Sequence, residues 1–180
     1  MSIFKVVPGL IFISSLLFPG LAMATSVFTN QNFIDVASIK SISEVETAKI
    51  ALQKSDSVSV KAYAQQVIKE QTAFLLSLRK LSEAEHLQML SDTDLQTKAR
   101  SYVFQRKGKS FDAAYADMRL TERKKSVSLF REAAEMATGD VKQYAIQQLP
   151  TLMHHLYMAQ TLVTNVENST VLMADNNRQL

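Results

Sequence analysis

The sequence predicts an all-α fold, an up-and-down four-helix bundle with an additional short helix, and three observations carry that expectation. Apolar residues recur at steps of three and four along four long segments and one short one, the periodicity of a helix face. Helix breakers are scarce. Of four glycines and three prolines, Gly9, Gly20, Pro8 and Pro19 lie near the amino end, leaving Gly108, Gly139 and Pro150 to punctuate the rest. No segment shows the apolar-polar alternation of a half-buried strand.

The first helical segment aligns Ile34, Ala37, Ser41, Glu44, Ala48 and Ala51, and "KSDS" (Lys54 to Ser57) ends it. The second carries Val60, Ala64, Val67, Gln71, Phe74, Leu78 and Leu81 before fading into "SEAEH". Ser91 with Asp94 three residues on is a helix start signal for a shorter element containing Leu95, Ala99, Tyr102 and Val103. "QRKGKS" around Gly108 closes it, and Ser110 can cap the next helix, whose stripe is Ala116, Leu120, Arg123, Val127, Phe130, Ala134 and Ala137. Gly139 is expected to stop that helix and Asp140 to cap the last, which aligns Val141, Ala145, Gln148, Leu152, His155, Ala159 and Leu162 with a bend at Pro150. From about Asn165 the chain turns polar, so residues 165–180 are expected to form a flexible tail.

The amino end reads as a secretory signal peptide. Lys5 precedes the apolar run Leu10 to Phe18, Pro19-Gly20 breaks it, and Ala22-Met23-Ala24 supplies the small-x-small pattern of a cleavage site. The expected division is a signal at 1–24, a bundle at 25–164 and the tail beyond. The run is about half of the roughly 18 residues a permanent span needs, so no stable membrane span is expected after cleavage. With no cysteine, neither a lipid anchor at the cleavage site nor a disulfide is available in an oxidising space. A soluble exported, periplasmic protein follows, with release to the medium as the other destination. About 155 residues after cleavage suit one domain. A net charge of +3, with acids and bases interspersed, gives no reason to expect nucleic acid or an acidic membrane as partner.

Four polar residues interrupt the stripes: Glu44, Gln71, Arg123 and His155, each near the middle of its own helix. Packed as neighbours, the four helices would bring them to one level, where bundles build metal and cofactor sites. Burying them separately is costly, so mutual pairing is the expected remedy.

The order of motifs "NFIDVASIKSISEVETAKIAL", "VKAYAQQVIKEQT", "SFDAAYADMRLTERKKSVSLF" and "VKQYAIQQLPTLMHHLYMAQTL" resembles the exported bacterial domain-of-unknown-function family 4142 over about Phe33 to Leu162. Its most specific pieces here are Phe111-Asp112-x-x-Tyr115 and Leu149-Pro150-x-Leu152-x-x-His155-Leu156. The resemblance implies a ferritin-like fold. It also implies aspartate-histidine pairs in the second and fourth helices, where this chain has Glu70-Gln71 and Glu122-Arg123. The carboxylates are kept in kind and both histidines are gone.

A guanidinium repels a divalent ion, so Arg123 reads as a replacement for a metal. The expected cluster pairs Arg123 with Glu44, with Gln71 and His155 satisfying what remains. It implies a non-catalytic binding or structural protein of the envelope, with a protein or small ligand as partner and no cofactor. The alternative is an iron-like or other divalent transition-metal protein using Glu44, Glu70, Glu122 and His155, and a residual oxidase on that metal is more remote. Other features read blandly. His154 is off the stripe and diverges from His155; Glu83 and His86 have a ligand-like spacing in a polar helix end. Arg106, Lys107, Lys109, Arg119, Lys124 and Lys125 read as ordinary exposed bases. Met118, Met136, Met153 and Met158 read as core filler. Cysteine nucleophiles, phosphate loops and serine elbows are missing from the sequence, so no enzyme is expected.

Overall fold

The computed structural model describes residues 28–100 and 111–176. Among them are five helices and no strand: α1 (Asn30–Lys54), α2 (Val58–Ala84), α3 (Asp92–Arg100), α4 (Phe111–Met136) and α5 (Gly139–Asn176). The expected signal segment at 1–24, Tyr102, Val103, Gly108, the expected Ser110 cap and the bases Arg106, Lys107 and Lys109 lie outside the described residues.

Local chemistry sets the boundaries. The Thr29 hydroxyl accepts from the Asn32 amide at 3.0 Å and starts α1. Ser57 caps α2 through the Val60 amide. The Ser91 hydroxyl accepts from the Asp94 amide at 3.2 Å and donates to the Asp94 carboxylate at 2.7 Å, fixing the start of α3 as the sequence suggests. His86, in the left-handed region at φ 54°, ends α2, and the Leu87 amide closes back on the Ser82 carbonyl at 2.8 Å. That closure is a Schellman motif, with Leu87 tucked against the core.

Two features of α5 differ from expectation. The helix begins at Gly139, so Asp140 lies inside its first turn, and the Asp140 amide is taken by the Glu85 carboxylate at the end of α2. Helix α5 also runs on to Asn176, through Pro150 and past residue 165, and Val166 is buried in the core. The boundary set at 164 therefore falls inside a helix, because Val166 continues the stripe of Ala159 and Leu162.

Helices α1 and α2 pack as one hairpin and α4 and α5 as another; α2 meets α5 and α1 meets α4, closing a ring of four, with α3 against α1. The Asn30 side chain exchanges bonds with the Thr138 backbone, and Gln31 clamps the Gln88 backbone, donating from Nε2 to its carbonyl and accepting at Oε1 from its amide. One end of the bundle therefore gathers the starts of α1 and α5 and the ends of α2 and α4. Neighbours are antiparallel throughout, and α2 and α4 point the same way. The connection between them joins opposite ends of the bundle, which makes it a bundle with one crossover.

The core is split. Phe33, Ile34, Leu78, Phe130, Val141 and Leu152 fill one end, with Phe33 and Phe130 edge to face at 4.9 Å. Val60, Ala64, Val67, Tyr115, Ala159 and Leu162 fill the other. Between the two lies a polar layer: Ser41 and Glu44 on α1, Gln71 on α2, Arg119 and Arg123 on α4, and His155 on α5, all buried.

Candidate functional site: a buried polar layer

The register of each helix puts these side chains inward. Glu44 is seven residues from both Ala37 and Ala51 on the buried face of α1, and Gln71 likewise lies seven before Leu78. Arg119 and Arg123 share a face one turn apart, four and eight residues beyond Tyr115. His155 falls between Leu152 and Ala159. Glu44, Gln71, Arg123 and His155 line one cavity of about 340 Å³, together with Glu70 and an apolar wall that includes Phe74, Phe130 and Leu152.

Inside the layer, Arg123 Nη2 lies 2.8 Å from Glu44 Oε2, with both side chains almost wholly buried. The angles fall outside hydrogen-bond geometry, so this is a contact of charges. Arg119 Nη1 approaches the same oxygen at 3.9 Å. Burial disfavours the Arg123 cation, yet Glu44 and the Tyr63 hydroxyl beside it more than compensate and hold the guanidinium charged. Gln71 accepts from Ser41 at 3.0 Å. His155 Nε2 lies 3.0 Å from Glu70 Oε2. Desolvation, and then the Arg123 cation, push the His155 ring below its usual range, and Nδ1 has no hydrogen-bond partner among the described residues.

The expected cluster is therefore assembled with different partners. Gln71 and His155 do not complete the Glu44–Arg123 pair; Ser41 engages Gln71 across the α1–α2 seam and Glu70 meets His155 across the α2–α5 seam. Sequence reasoning missed Arg119, read as a surface base, whereas it is 2% exposed and lies over the Tyr115 ring at 5.6 Å. Counting back in fours from Arg123 reaches Arg119 and then Tyr115, a signal present in the sequence.

Of the residues of the metal alternative, Glu44, Glu70 and His155 line the one cavity but face different partners, and Glu122 stands apart. Glu44 faces guanidinium groups, Glu70 faces His155, and Glu122 lies outside the cavity, bound by Lys40 at 2.6 Å and Lys125 at 2.8 Å. Desolvation works against the Glu122 carboxylate, but these two lysines win and lower its pKa. Among the described residues, no three of His, Asp or Glu come together as a metal-holding group. His154, Glu83 and His86 are exposed. Met118 and Met158 pack half-buried against the core, but Met136 and Met153 do not fill it: they are 61% and 44% exposed, lying on the outer faces of α4 and α5.

The model of a domain of unknown function, DUF4142, matches residues 19–162. The chain belongs to this family. No curated protein and no solved structure matches it. Within this DUF4142 chain, both motifs that carried the resemblance serve the bundle interior. Phe111 stacks on Tyr115 at 6.1 Å and packs at the end opposite Phe33, while Leu152 and His155 line the central cavity. Among the described residues no helix is long and apolar enough to cross a membrane.

Proposed function

We propose that the protein is an exported, ferritin-like binding protein of the cell envelope, without catalytic activity, in which an ion pair occupies the position of a metal centre. The observation that carries this reading is the Arg123 guanidinium seated 2.8 Å from Glu44 in a mid-bundle cavity. Bundles place metals at such a level using carboxylates and histidines from facing helices. A fixed cation there opposes a second one and uses up the carboxylate that would ligate it. The single crossover supports the ferritin-like description, and the amino-terminal run with its Ala22-Met23-Ala24 pattern supports export.

The central cavity supports binding over a purely structural role. Its wall pairs aromatic and aliphatic surface with a few convergent polar groups, the usual make-up of a small-molecule pocket. Elemental analysis of the exported protein, purified without chelators or affinity histidines, tests the reading, with mass spectrometry fixing the amino terminus. The expected result is a chain beginning at Thr25 with no stoichiometric transition metal. One equivalent of iron or a related ion would overturn it and make Glu44 and His155 ligands.

A further inference from the structure

The polar layer holds unmet donors beside two unmet acceptors, Glu44 Oε2 and His155 Nδ1, among the described residues. Arg119 Nε and Nη1, Arg123 Nε and the hydroxyls of Tyr63 and Tyr115 are all buried donors without a hydrogen-bond partner among the described residues. Burial raises the pKa of both phenols, which keeps them neutral donors. Against two guanidinium groups the innermost layer sets one carboxylate, Glu44, and Arg123 holds it more closely than Arg119 does. A buried donor left unmade carries a desolvation penalty, and a buried cation a larger one.

Arg119 also lines a second cavity, of about 380 Å³, at the seam between α1 and α4. Its inner end is Arg119 and Glu44, and its walls include the side chains of Val36, Ile39, Met118 and Leu129. At its rim the Glu122 carboxylate is already engaged by Lys40 and Lys125. Only Arg119 among the cations lining this cavity lacks a carboxylate within 3 Å among the described residues.

We infer that the α1–α4 cavity binds a small organic monocarboxylate, its carboxylate against the Arg119 guanidinium at the inner end and its apolar body against Val36, Ile39, Met118 and Leu129. A carboxylate meeting a guanidinium forms charge-assisted hydrogen bonds, roughly twice as strong as neutral ones. An added anion also balances the second guanidinium. The aliphatic wall distinguishes an organic acid from an inorganic ion, which would leave that wall wet. This inference goes beyond the ion-pair reading of the central cavity and does not depend on it, since Arg119 keeps its unmet donors whether or not a metal is ever found.

Thermal melting and titration calorimetry with sodium hexanoate test it, beside hexanol, acetate, phosphate and chloride at matched ionic strength. Hexanoate is expected to raise the melting temperature with the logarithm of its concentration, by roughly 5–10 °C at a hundredfold excess over its Kd, with hexanol inert and acetate weaker. Arg119→Gln should weaken hexanoate binding by about 10- to 150-fold. Met118→Trp, which fills the apolar half and leaves the guanidinium in place, should shift the preference from hexanoate to acetate, and keeps the test open if Arg119→Gln does not fold. Stabilisation by phosphate or chloride equal to that by hexanoate would overturn the organic-acid assignment. No stabilisation by any anion, or equal stabilisation by hexanol, would overturn the site altogether.

Discussion

Arg123 and Glu44 meet at 2.8 Å in the middle of the bundle, and this contact joins α4 to α1 across the seam between the two helical hairpins. Breaking a buried pair from one side leaves the other charge uncompensated, at a cost of about 3–5 kcal/mol. The two sides are unequal here. Glu44→Ala strands two guanidinium groups and is expected to cost that amount in urea unfolding. Arg123→Met leaves Glu44 with Arg119 already 3.9 Å away, and is expected to cost less. Equal losses, or no loss from Glu44→Ala, would show that the pair does not hold the seam.

Acid should weaken the fold in two stages. The folded-state pKa of His155 is depressed below 6.5, so the unfolded chain binds the proton more readily and stability falls as pH drops through and below that value. Glu122, also depressed, from 4.5, adds a second loss at lower pH as it is protonated and its contacts with Lys40 and Lys125 weaken. His155→Gln should flatten the first stage and leave the second. Urea midpoints measured from pH 7 to pH 3.5 separate the two; an unchanged first stage in the variant would assign it to another group.

Gly139 stands at φ +60°, and a Cβ built there would come within 2.5 Å of the Glu85 carboxylate that receives the Asp140 amide. Gly139→Ala is expected to lose about 1–2 kcal/mol from the left-handed backbone alone, plus the displacement of Glu85. In a Glu85→Ala background only the backbone part should remain. Melting curves of the two single variants and the double variant separate these parts.

Tyr144 shares a 2.6 Å hydrogen bond with Ser77 across the α2–α5 seam, and burial lifts its phenol to about 12. Tyr144→Phe should cost about 1 kcal/mol, since Ser77 keeps the Phe74 carbonyl as its partner. A loss of several kcal/mol would mean that the bond does more than close the seam. Ultraviolet titration of tyrosine absorbance checks the shift directly: Tyr144 should ionise only near pH 12, above the ordinary tyrosine range.

Much of this arrangement is legible in the residue order, for a specific reason. Glu44, Gln71, Arg123 and His155 each replace an apolar residue in a 3.6-residue stripe, and a stripe declares its own inside. Arg119 escapes notice because its charge suggests exposure and the apolar stripe of α4 runs through Ala116 and Leu120. Partner choice is not legible either. Whether His155 meets Glu44 or Glu70 depends on how α2 and α5 are set across their seam, which helical periodicity does not specify. The crossover between α2 and α4 has a similar cause, since a connection of that length can return to either end of the bundle.

The proposal that a guanidinium and an amide stand where imidazoles would complete a metal centre is tested most directly by titrating metal into two proteins. Wild type and the Gln71→His, Arg123→His double variant are each titrated with cobalt(II) or zinc(II), and binding is read by competition with a chromophoric chelator. The predicted result is no stoichiometric binding by wild type and one equivalent bound by the double variant, through the two introduced imidazoles together with Glu44 and His155. A wild-type protein that binds one equivalent, or a folded double variant that binds none, would contradict it.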